Sequence, residues 1–100
     1  MKEPLSFDPG RIVISTQGRD KGHAFLVIEN PGDDRVLIAD GLNHPLARPK
    51  KKKIRHLHAK PIMVNLSEVR PEGGPIQDSD LRRALEDNGF AVGRSLCKEG

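Results

Sequence analysis

The chain predicts a mainly β protein, a small barrel or sandwich followed by a C-terminal helical extension, and three observations carry that prediction. Short β-branched runs recur between Gly/Pro turns across the first half of the 100 residues. Large rings are scarce, with three Phe and neither Tyr nor Trp, which suits a small core rather than a large enclosed active site. Beyond residue 61 the pattern changes, ending in one segment with helical start and stop signals.

The elements follow in order. Residues 1–9 form an arm that ends in the turn Asp8-Pro9-Gly10. Arg11 to Thr16 is β-branched and apolar, so a strand is expected, with Ile12 and Ile14 on one side and Val13 on the other. Gln17 to His23 is a loop whose Gly18 and Gly22 supply positive φ or a close backbone approach. Ala24 to Glu29 and Arg35 to Asp40 are the next strands, joined into a hairpin by the five turn-forming residues Asn30 to Asp34. Asn43 to Pro49 is irregular, anchored by Leu46, and short fourth and fifth strands are expected between Ala47 and Ala59. The compact unit is thus placed at residues 10–61 and the extension at 62–100.

In the extension, Ile62, Leu66 and Val69 fit helical spacing, whereas Ile62, Val64 and Leu66 fit strand alternation, and periodicity leaves both open. Residues 71–75 are a linker. A helix near 79–88 follows, capped by Asp78 or Ser79, with Leu81, Ala84 and Leu85 on one face and Asn88-Gly89 as its stop. About three turns long, it needs that face docked to persist. Phe90, Val92 and Leu96 are further docking groups.

Charge separates the working surface from the frame. Residues 1–47 and 61–100 each carry a net −2, while residues 48–60 carry +7 with no carboxylate. Confining the whole basic excess to Arg48, Lys50, Lys51, Lys52, Lys53, Arg55 and Lys60 argues for an anionic partner, with Ile54 and Leu57 tying the run to the fold. His56 joins that set, and Arg19 and Lys21 in the first loop are natural second contributors if folding brings the loop to the run. With so few aromatics, recognition of a folded nucleic acid, RNA above all, through its backbone and shape is expected rather than base stacking on a splayed strand. Charge leaves duplex DNA open, although no helix-turn-helix or zinc-finger pattern supports it.

Other classes lack their motifs. His44, His56 and His58 invite a metal reading, but no Cys or spaced carboxylate cluster accompanies them, so no metal or cofactor is expected. Gly18 to Gly22 lacks the spacing and terminal Ser/Thr of a phosphate-binding P-loop, and no nucleophile or zinc-protease motif occurs, so the chain is not expected to be an enzyme. The polar opening Met1 to Ser6 leads into no apolar signal segment, no run spans a membrane, and the lone Cys97 has no internal disulfide partner. A cytoplasmic chain, monomeric when free, is the expectation.

The segment from Asp8 to Gly41 resembles the KOW motif of small RNA-binding domains, found in ribosomal proteins and transcription elongation factors. The matching residues are Gly10-Arg11-Ile12-Val13-Ile14, Gly18, Lys21-Gly22, Leu26-Val27-Ile28 and Val36-Leu37-Ile38. Continuing through Asp40-Gly41, Pro49-Lys50-Lys51-Lys52 and His56-Leu57, the order resembles stand-alone bacterial KOW-domain proteins akin to the KOW-bearing ribosomal proteins of archaea and eukaryotes. The resemblance implies an SH3-like β-barrel that binds RNA, ribosomal in kind. It departs from the pattern at Phe25, where many such motifs carry a second glycine, which makes Phe25 a core residue. It does not extend to residues 61–100, for which the alternative function is that of an adaptor docking a ribosomal or transcription protein.

Overall fold

The computed structural model describes residues 6–66, 75–90 and 92. The linker residues 71–74, and Val69, Leu96 and Cys97, lie outside the described residues. Five strands form one antiparallel sheet: β1 (Arg11–Ser15), β2 (Ala24–Glu29), β3 (Arg35–Ala39), β4 (Lys50–Lys53) and β5 (Leu57–Met63), in the order β4-β3-β2-β1-β5. Among the described residues one α-helix, α1 (Asp78–Asp87), follows.

The edge strands β4 and β5 are neighbours in the chain, separated only by the 3-10 turn Ile54–His56. In a flat sheet the edges would stand four interstrand steps apart, roughly 19 Å, whereas three 3-10 residues span only about 6 Å. The sheet is therefore rolled, with one corner pinned at this turn, although no β4–β5 ladder seals it. Register shifts between Val27 and Glu29 and between Arg11 and Val13 add the local bending that such rolling needs.

The alternation of β1 sorts side chains as its sequence predicts. Val13 turns into the concave cluster with Phe25, Val27, Val36, Ile38 and Leu57, and Ile12 lies in a second cluster on the other face with Ala24, Leu26 and Ala39. Phe25 is fully buried, as expected of a core residue. α1 covers the second face with Leu81, Ala84 and Leu85, and Leu46 packs there as the anchor of its loop. The Arg82 guanidinium donates to the Gly41 carbonyl, and the Leu46 amide donates to the Asp78 carboxylate at 2.7 Å, so the helix is also tied to the loop after β3.

Two local differences from the sequence reading have physical reasons. β5 continues past Ala59 to Met63, because an edge strand tolerates Pro61, whose missing N–H falls where the register slips. There the Lys60 carbonyl accepts from the Arg11 guanidinium at 3.2 Å. Arg11 also donates to the Ser6 carbonyl at 2.7 Å, fixing the end of the arm. Finally, α1 is capped one residue earlier than expected, at Gln77, because Asp80 reaches back to accept the Gln77 amide at 2.8 Å. Its stop is as read, with Gly89 at φ +90°.

Candidate nucleic-acid interface

The loop after β1 is closed by its own backbone. Gly22 donates to the Ser15 carbonyl at 2.8 Å, Ser15 to the His23 carbonyl at 3.0 Å, and Lys21 to the Gly18 carbonyl at 3.2 Å. Both of its glycines take positive φ, +82° at Gly18 and +87° at Gly22, which a side chain would resist. This turn geometry projects Arg19 and Lys21 outward, both exposed.

The β3–β4 register decides where each lysine points. Lys52 stands opposite Val36 and Lys50 opposite Ile38, so these two share the concave face with buried aliphatic residues. Lys51 opposite Leu37 and Lys53 opposite Arg35 face outward. Lys52 is only 8% exposed, its stem laid over the core and its ammonium donating to the Gln17 carbonyl at 2.9 Å. Lys50 donates to Asp20 at 2.6 Å, and the His44 ring lies 3.4 Å from the same carboxylate. These two inward lysines fasten the Gly18–Gly22 loop to β4, so folding does bring the loop carrying Arg19 and Lys21 beside the lysine run.

The ionisation of the cluster follows from this packing. Burial raises the Asp20 carboxyl, but the Lys50 and His44 hydrogen bonds and their charges outweigh it and hold Asp20 below its ordinary value. Lys52 is lowered by burial and by the Lys50 charge, with Asp20 opposing. His56 is lowered by desolvation, then by Arg55, Lys52 and Lys53.

Of the remaining sequence-predicted residues, Arg48, Lys51 and Arg55 are exposed and Lys53, His56 and Lys60 half-buried. Lys60 is on β5, on the far side of the loop from β4, and joins Lys21 and Gly22 around a separate cleft. Sequence reasoning missed Arg35, which lies directly across from Lys53 with 47% of its side chain exposed. Like charges opposite one another destabilise a ladder unless an anion bridges them, and Asp34 approaches Arg35 only to 3.9 Å. Its position outside the lysine run hid it, because only the β3–β4 register shows the pairing. It also missed Asp20, whose partners Lys50 and His44 lie more than twenty positions away. Among the described residues no group of His, Cys, Asp and Glu is placed to hold a metal ion, and no helix is long and apolar enough to cross a membrane.

No family model matches the chain. Its sequence is similar to that of the large ribosomal subunit protein eL14 of Hyperthermus butylicus, 25% identical over 85 residues, a stretch that covers 85% of this chain and 81% of that protein.

Proposed function

We propose that this chain is an RNA-binding accessory protein of the SH3-like KOW type, working in the cytoplasm, that docks on structured ribosomal RNA through the surface formed by β4 and the Gly18–Gly22 loop. The carrying observation is the pair of contacts that fastens that loop to β4, Lys50 to Asp20 and Lys52 to Gln17. It supports a division of labour within the run. Lys50 and Lys52 organise the surface, and Arg19, Lys51, Lys53 and Arg55, with Arg35, contact phosphate. Similarity to a protein of the large ribosomal subunit favours ribosomal RNA as the partner. The function is one of binding, not of catalysis. The adaptor reading draws less support, because α1 turns its Leu81 and Leu85 into the chain's own core rather than toward a partner.

The test is filter binding to folded large-subunit ribosomal RNA between about 50 and 200 mM salt. Replacing Lys51, Lys53 and Arg55 together with Gln should flatten the plot of log K against log salt by about 2 to 3, the loss of three phosphate contacts. An unchanged slope would sink the assignment. Lys52→Gln should instead lower stability and leave the slope nearly as it was.

A further inference from the structure

We infer that the cleft between the Gly18–Gly22 loop, β5 and the end of α1 is a binding site for one unpaired nucleotide of the RNA, and this rests on the RNA reading above. The cleft has a volume of about 370 Å³ and is lined by Ile14, Ser15, Thr16, Lys21, Gly22, His58, Lys60 and Phe90. Ile14 and His58 are cross-strand partners, so they share the outer face of the β1–β5 pair. Beside them stands Phe90, held at its place by donating its backbone amide to the Leu85 carbonyl at 2.9 Å.

The lining is chemically divided in the way a nucleotide is. Ile14 and Phe90 offer apolar and aromatic surface to a base, which buries its faces but keeps a polar rim. Thr16 and the exposed His58 are the polar groups at hand for that rim, the Ser15 hydroxyl being spent on the Gln17 carbonyl at 3.0 Å. Lys21 and Lys60 put positive charge at the same opening, which suits the phosphate attached to the base and disfavours a neutral apolar occupant. The volume is ample for one nucleoside and too small for a stacked pair.

Position adds a second argument. One flank of the Gly18–Gly22 loop is fastened to β4 through Asp20 and Gln17, and its other flank, Lys21 and Gly22, lines the cleft. A backbone tracking the outward lysines of β4 therefore reaches the cleft by crossing a single loop. Lys21 and Lys60 bind at the cleft, apart from the cations of β4. Phe90 packs on the cluster that α1 covers, yet it is only half-buried and also lines the cleft, so a single base is read by contact.

Two measurements on the full chain test this. In amide-resolved NMR, AMP and adenosine should shift Ile14, Ser15, Thr16, Gly22 and His58, and inorganic phosphate should not; if AMP shifts only what phosphate shifts, the nucleotide site is overturned. In the second, a fully paired RNA hairpin is compared with the same hairpin carrying one unpaired adenosine. The bulged form should bind about tenfold more tightly, the range of one base–aromatic stack. Phe90→Ala should erase that preference without changing affinity for the paired hairpin. Should the preference survive Phe90→Ala, the cleft proposal fails while the RNA reading stands. Should neither hairpin bind, the RNA reading fails and this proposal falls with it.

Discussion

Asp20 is a carboxylate set into a cationic surface, where simple electrostatics would count it a liability for binding an anion. Its side chain is only 12% exposed, and it holds Lys50 and His44. Asp20→Asn should cost about 1 kcal/mol, the scale of one partly buried charged hydrogen bond, measured by urea unfolding at neutral pH. The sign of its pH dependence follows from a folded value held below the unfolded one. The contribution is complete above the ordinary carboxylate range and is lost as pH falls through the lower folded value. Acid titration of stability should therefore be shallower in Asp20→Asn than in the parent; identical acid limbs would remove this role. At this scale much was legible beforehand: the opposed faces of Ile12 and Val13, the burial of Phe25 and the positive φ of Gly18 and Gly22. The inward turn of Lys50 and Lys52 was not, because four consecutive lysines have no period, and only pairing with Val36 and Ile38 selects which of them face the core.

Among elements, the strands with alternating or β-branched apolar residues were readable to within a residue, as β1, β2 and β3 show. β5 was not, since Pro61 reads as a terminator until an edge position and a register slip accommodate it. α1 was recognisable by its Leu81/Leu85 spacing and its Asn88-Gly89 stop, but its docking surface is built from β1, β2 and β3, far off in the sequence, and has no local signal. Too short to persist alone, the helix exists because it is packed. Leu85→Ala should therefore cost about 2 to 4 kcal/mol, seen as a lower urea midpoint together with loss of helical circular dichroism. A change below about 0.5 kcal/mol would mean that the helix is not docked.

For the whole molecule, the rolled sheet has apolar residues on both faces, one enclosed by its own curvature and the other covered by α1. Ending the chain at Leu66 should uncover Ile12, Ala24, Leu26 and Ala39, and size-exclusion chromatography with light scattering should then report self-association. A monomer with an unchanged unfolding midpoint would show that the covering is dispensable. Deleting the extension is consequently a poor probe of partner capture; substitution of the exposed Arg83 and Glu86 on α1 leaves the cover in place.

The hydrogen bond from Arg11 to Lys60 spans 49 positions of sequence, and the β1–β5 ladder beside it spans a similar distance. During synthesis β1, β2 and β3 can form their meander as soon as Ala39 has emerged, yet one edge of β1 then waits for Met63 with its backbone unpaired. Long-range closure of this kind is slow, and an open edge beside apolar residues is a template for a neighbouring nascent chain. The lysines of β4 emerge during that interval, a run of like charge of the kind that discourages edge-to-edge pairing.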